Sequence, residues 1–214
     1  MADLRLMLPE LILFAWAMMM LMYGVIRKNV GGNIMIYLAM LGVVITGFSI
    51  PMPAYGLAFG GTFFVDKVSV FFKMIFLGAA FFAAASSSSL MEKLKADHGE
   101  YFTLILLSTV GMMFLISTNE LITLYVALEL TTIPLFVLAA YRKDSLSSSE
   151  AGLKYLILGA VSSAILLYGI SMIYGLTGTT FINLAFGRLL EQSLGMLTLT
   201  QEVNMAFIIA MIMM

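Results

Sequence analysis

The sequence contains no cysteine, one histidine, one tryptophan and four prolines. Without cysteine, the chain can form no disulfide, thiolate metal site, iron–sulfur ligation or cysteine nucleophile of its own. Charge is scarce as well: Asp, Glu, Lys and Arg make up 11% of residues, against about 25% in an ordinary soluble domain. The net charge of −1 offers no basic surface for nucleic acid, and no nucleic-acid partner is expected. Walker, GxGxxG, HExxH, CxxC and GxSxG patterns are all missing. No metal or cofactor site is therefore expected in this chain. His98 is the sole histidine, lies in the charged run Glu92–Glu100 and reads as a solvated loop residue.

What the chain has instead is apolar length. Hydrophobic residues account for 62% of the sequence and mean hydropathy is +1.05, too little polarity to cover a soluble globule. Six runs are long enough to span a bilayer: Leu6–Ile26, Ile34–Ile50, Val68–Ala85, Tyr101–Ser117, Leu121–Ala140 and Tyr155–Gly175. A seventh begins near Val203. In hydrocarbon the backbone must satisfy its own polar groups, and no period-2 alternation suggests a barrel, so helices are predicted. The fold class is all-α: a polytopic transmembrane bundle of six complete spans and the start of a seventh, within one membrane domain covering 1–214. The first run reads as a retained span, since Asp3, Arg5 and Pro9-Glu10 break the signal-peptide pattern.

Basic residues give an orientation. Arg27, Lys28, Lys93, Lys95, Arg142, Lys143 and Lys154 fall in the odd-numbered connections, whereas Arg5, Lys67 and Arg188 fall on the other side. The positive-inside rule places the odd connections in the cytoplasm or its equivalent and the N-terminus outside. Punctuation agrees with the runs. Pro51-Met52-Pro53 ends span two, and Gly60-Gly61 is turn material. Ser117-x-x-Glu120 and Ser147-x-x-Glu150 match the capping-box pattern at the starts of spans five and six, and Glu150 with Lys154 makes a favourable i,i+4 pair. The small tract Ala83–Ser89 and the Gly159/Ser163 spacing suit close helix packing. Residues Thr180–Gln192 form either a short amphipathic helix at the outer surface or a loop.

Glu129 is the leading functional candidate. It sits mid-way along Leu121–Ala140, a run whose twenty residues at about 1.5 Å each match roughly 30 Å of hydrocarbon. A carboxylate at that depth costs on the order of 2.5–3.5 kcal/mol on insertion scales, and such residues mark proton or ion paths. Tyr125 and Thr132 share its helix face. Pro134 removes the hydrogen bond to the Leu130 carbonyl and opens space for water or a neighbouring side chain. Two basic residues are further candidates. Lys154 stands on the cytoplasmic side of span six. Lys73 is the basic residue inside a span, sharing a face with Asp66 and Ser69, and reads as a snorkelling lysine paired with Asp66 near the outer interface. On that reading Glu129 has no central base to pair with.

The residues resemble one family. The stretches Gly99-Glu100-Tyr101, Gly111-Met112-Met113, Leu121-Ile122-Thr123-Leu124-Tyr125, Leu128-Glu129-Leu130 and Pro134-Leu135 are similar to subunit N of respiratory complex I. So are Arg142-Lys143-Asp144-Ser145, Leu153-Lys154-Tyr155, Leu158-Gly159-Ala160, Leu167-Tyr168-Gly169 and Tyr174-Gly175-Leu176-Thr177-Gly178, with Leu8-Pro9-Glu10 and Phe64-Val65-Asp66 upstream. The resemblance implies a proton-translocating membrane subunit of NADH:quinone oxidoreductase, an antiporter-like fold of about fourteen spans with two inverted repeats. It implies three leading helices in 1–98 and an incomplete first repeat in 99–214, so that the sequence reads as the opening part of a longer subunit. The family's glutamate on the fifth span matches Glu129, and its lysine partner lies on the seventh span, beyond Met214. With a lysine close by, the carboxylate is held ionised; separating the two favours its protonated form. NADH, FMN, iron–sulfur clusters and quinone are implied elsewhere in the complex, with antiporter-like membrane subunits as neighbours. Two other readings stay open: a cation/proton antiporter component using the same acid, and a non-conducting membrane scaffold.

Overall fold

The computed structural model describes residues 2–27, 32–50, 55–87, 98–142 and 144–195. The Pro51-Met52-Pro53 stop, most of the charged run before His98, Lys143 and the seventh apolar run lie outside the described residues. The chain forms α1 (Ala2–Leu6), α2 (Leu8–Ile26), α3 (Gly32–Ser49), α4 (Lys67–Ser86), α5 (His98–Ile116), α6 (Leu121–Ala139), α7 (Leu146–Thr177) and α8 (Ile182–Gly195). Between α3 and α4 lies a small antiparallel hairpin, β1 (Gly56–Ala58) and β2 (Phe63–Val65), with Gly56 opposite Val65. Its turn runs through left-handed backbone at Phe59, Gly60 and Gly61, which explains the glycine pair.

Among the described residues, five helices are long and apolar enough to cross a membrane, namely α2, α4, α5, α6 and α7. The second predicted span, α3, is a shorter apolar helix by the same measure. The 32 residues of α7 reach about 48 Å at 1.5 Å each, well beyond a hydrocarbon core. The surplus is its polar first two turns, which precede the predicted span at Tyr155.

The bundle is organised around α5. Half of its apolar window is buried, more than in any other spanning helix described, because α2, α3, α4 and α6 all pack against it. Leu13, Ala17 and Met20 of α2, Leu77 and Ala80 of α4, and Phe102, Leu106, Val110 and Met113 of α5 form the main core. Next, α6 links this core to α7, which also packs on α8; Leu121 of α6, Ile170 and Ile173 of α7 and Ala185 of α8 form a second buried cluster. Small residues set the contacts, as expected for helices in lipid. A Cβ on Gly111 would strike the backbone of α6 at Thr131, and one on Gly159 would strike the Phe136 ring.

The capping expectations need correction. Helix α7 is capped two residues earlier than the Ser147 pattern suggests: Ser145 accepts from the Ser148 amide at 3.4 Å. Glu150 is occupied by its 2.6 Å ion pair with Lys154 instead of reaching back to the helix start. The Ser117/Glu120 box does not form either. Glu120 is itself the N-cap residue of α6 and makes no capping hydrogen bond. Its carboxylate accepts from Thr123 Oγ1 at 2.6 Å and Thr180 Oγ1 at 2.9 Å, tying α6 to the segment before α8. Ser117 lies buried in the turn after α5, where its carbonyl accepts from the Phe64 amide of the hairpin at 2.8 Å. The true capping box is at Asp66, whose Oδ1 accepts from the Ser69 amide at 2.7 Å while Ser69 Oγ accepts from the Asp66 amide at 2.8 Å. His98 opens α5 and does not lie in a loop. Residues 182–195 are helical, in keeping with the helical alternative for that segment.

Candidate functional site

Two buried or half-buried acids stand on membrane helices, at different places. Glu129 lies half-way along α6 and is half-buried, not enclosed. The cause is its position. Ile122, Val126, Ile133 and Val137 are 48–57% exposed, and at 100° per residue they form one stripe through Glu129. The carboxylate thus interrupts an otherwise apolar open face of the helix. The opposite face is fastened to α5. Ser108 Oγ donates to the Thr131 carbonyl at 2.9 Å, next to the Gly111 contact, and Leu130 packs on the main core.

The sequence-predicted neighbours are partly gathered. Tyr125, one turn before Glu129, interacts with its carboxylate. Thr132 turns its hydroxyl to the Glu129 backbone carbonyl at 3.5 Å, so it serves the helix and not the carboxylate. Thr131 does the same with the Ala127 carbonyl at 2.9 Å. Pro134 is buried inside α6, and the helix continues to Ala139. Beyond it a cavity of about 450 Å³ opens among the ends of α5, α6 and α7, lined by Glu100, Tyr141 and Gly152 and reaching Ile133, one turn from Glu129. Lys154 is not part of this site: it is 71% exposed and paired with Glu150.

Lys73 departs most from expectation. It does not snorkel and does not pair with Asp66, which is engaged in the cap of α4. Its Nζ lies 2.6 Å from Glu10 Oε1, with both side chains almost wholly buried, at 2% and 0% exposure. The Phe63 ring of the hairpin lies beside the ammonium, 5.1 Å from Nζ to the ring centroid. Lys73 shares a buried stripe with Leu77, Ala80 and Ala84, and Glu10 shares one with Leu13, Ala17 and Met20. These two stripes meet in the core, which carries the lysine inward, away from the interface. Glu10 was missed as a site residue because it stands at the very start of its helix, where a carboxylate ordinarily reaches water. The 3-4-3 spacing Glu10, Leu13, Ala17, Met20 was the available signal. Among the described residues the ion pairs are Lys73–Glu10 and Lys154–Glu150, so none reaches Glu129.

Residues 118–214 match the family described as NADH:quinone oxidoreductase/Mrp antiporter, TM. NADH-quinone oxidoreductase subunit N of Trichlorobacter lovleyi is 39% identical over 181 residues, which covers 83% of this chain and 37% of that protein. Among solved structures, respiratory complex I from Thermus thermophilus with bound aureothin superposes with a TM-score of 0.66 at 28% identity, covering 85% of this chain and 42% of the matched one. The membrane-bound sulfane sulfur reductase, an archaeal respiratory membrane complex, shares the fold with a TM-score of 0.70 at 22% identity, over 99% of this chain and 42% of that one. The chain spans about two fifths of the length of the curated relatives it matches over most of its own length. It is a multi-pass membrane protein similar over most of its length to subunit N of NADH-quinone oxidoreductase, and residues 118–214 match the model of the oxidoreductase/antiporter membrane family.

Proposed function

We propose that this chain is the proton-handling part of a membrane subunit of NADH:quinone oxidoreductase, with Glu129 as the group that takes up and releases the transported proton. The observation that carries the reading is the lone carboxylate in the middle of the exposed apolar stripe of α6. Left against lipid it would be costly; against another helix bearing a base it becomes a switchable ion pair. That base would come from a later span of the same subunit. The cavity reaching Ile133 offers a route from the end of the bundle toward the carboxylate, with Glu100 at its rim.

In this reading the subunit lies in the inner membrane with its N-terminus on the periplasmic side and α3 as a sixth span. Residues 1–98 supply three leading helices and 99–214 open the first antiporter-like repeat. NADH, FMN, iron–sulfur clusters and quinone belong to other subunits, and antiporter-like membrane subunits are the neighbours. Quinone reduction would shift the ionisation of Glu129 through the intervening charges, making the subunit a translocase component without a redox site of its own. The family match, which spans oxidoreductase and antiporter proteins, also supports the second reading, a cation/proton antiporter component using the same acid.

The test is Glu129→Gln in the full-length subunit, with the complex assembled in membrane vesicles. NADH-driven proton uptake should fall by about tenfold or more, the order expected for losing a proton-transfer group, while assembly is kept. Wild-type pumping in that variant removes Glu129 from the proton path. Sodium-driven proton exchange in the absence of NADH would favour the antiporter reading.

A further inference from the structure

We propose that Glu10 and Lys73 form a second proton-handling site, on the hairpin side of the bundle and separate from Glu129. The proposal rests on the proton-translocating reading of the chain and adds to it a place where the proton is held near the hairpin end. Three observations carry it. First, the pair is enclosed: a 2.6 Å contact between side chains that are 2% and 0% exposed. Second, Glu10 Oε2 has no well-placed hydrogen-bond donor among the described residues, so beyond Lys73 and the residue's own backbone amide nothing described holds a carboxylate that accepts several bonds when ionised. Third, what the described residues place beside the pair is mainly aromatic and apolar. The aromatic face of Phe63 completes the ammonium's side, and Leu13, Ala17, Leu77 and Ala80 continue the two buried stripes.

A strut between α2 and α4 does not need this chemistry. Two apolar side chains of the same volume would join the helices at least as well, since desolvating both charges offsets much of their attraction. What the pair can do that an apolar contact cannot is exchange a proton. Transfer from Lys73 Nζ to Glu10 Oε1 breaks an N–H bond, forms an O–H bond and leaves a neutral amine beside a neutral acid. A proton arriving from within the membrane restores the ammonium, and the acid then loses its proton toward the hairpin end, so one proton passes per cycle. Among the described residues, the other charged groups near this end are otherwise engaged or face solvent. Asp66 caps α4, Glu120 accepts from Thr123 and Thr180, and Asp3, Arg5 and Lys67 are exposed. Helices α3 and α5 bring no charged side chain to this end.

The experiment uses the full-length subunit in the assembled complex, in vesicles, with two variants. Lys73→Arg keeps the positive charge and the ion pair but cannot release its proton. Glu10→Gln with Lys73→Met removes both charges together. Assembly, NADH oxidation and proton uptake are measured, with Glu129→Gln in parallel. The expected result is that Lys73→Arg assembles at the wild-type level and its proton uptake per NADH oxidised drops by at least a third, with the double variant showing the same loss. Wild-type proton uptake in Lys73→Arg, or in an assembled double variant, overturns the proposal and leaves the pair as a strut. If those variants pump normally while Glu129→Gln does not, the reading of the chain stands and this inference alone falls. Absence of NADH-driven proton uptake in wild-type vesicles removes both.

Discussion

At the scale of single residues, the two ion pairs differ in everything except length. Both are 2.6 Å, yet one is sealed and the other has side chains 71% and 64% exposed. Removing one partner of the sealed pair strands a charge in the core. Glu10→Ala should therefore destabilise the subunit by about 3–5 kcal/mol, seen as loss of assembled complex or a lower unfolding temperature in detergent. The neutral double variant should recover most of that loss, and a double variant as unstable as the single one would contradict the account. The exposed pair should matter little. Lys154→Ala should change stability by less than about 1 kcal/mol and leave proton uptake within error, whereas a large pumping defect would return Lys154 to the list of transport residues. Glu129 stands out in the sequence as a candidate because it interrupts a long apolar run, and the structure shows it half-buried on that helix. Lys73 was visible for the same reason, but its partner was not. Asp66 is nearer in sequence, and only the packing of α2 on α4 through α5 brings Glu10 to it.

At the scale of elements, apolar runs placed the spanning helices well, since hydrocarbon forces each backbone to satisfy itself. The ends were harder to read. Ser147-x-x-Glu150 has the right pattern, but Ser145 supplies the cap, because Glu150 is better used by Lys154 one turn on. Competition for a side chain is invisible in a spacing rule. The contact between α5 and α6 shows where small residues decide the packing. Gly111 lies against the backbone at Thr131, and Ser108 donates to the carbonyl of that same residue. Gly111→Val should force the helices apart and cost about 1–3 kcal/mol, lowering the unfolding temperature in detergent. It should also tilt the Glu129 stripe and reduce proton uptake. An equally stable, fully active Gly111→Val variant would show that this approach is not required.

At the scale of the whole molecule, burial centres on α5 and falls away toward α6 and α7. Half of the α5 window is buried, against 33% for α4, 28% for α2, 22% for α6 and 17% for α7. The sequence could not reveal this asymmetry, because α6 and α7 are as apolar on their open faces as on their closed ones. Lipid can cover Ile122, Val126, Ile133 and Val137, but it covers the carboxylate between them at a cost of about 2.5–3.5 kcal/mol. A protein helix with a basic side chain removes that cost, and the proposed function requires one there. A photo-crosslinking amino acid in place of Val126, on the Glu129 stripe, should therefore join α6 to a later span of the same subunit. The same probe at Phe48 of α3, which is 88% exposed on the far side of the core, serves as the comparison. If the Val126 probe labels only lipid, Glu129 faces hydrocarbon in the resting protein, and its pairing with a lysine must be given up in favour of a protonated carboxyl.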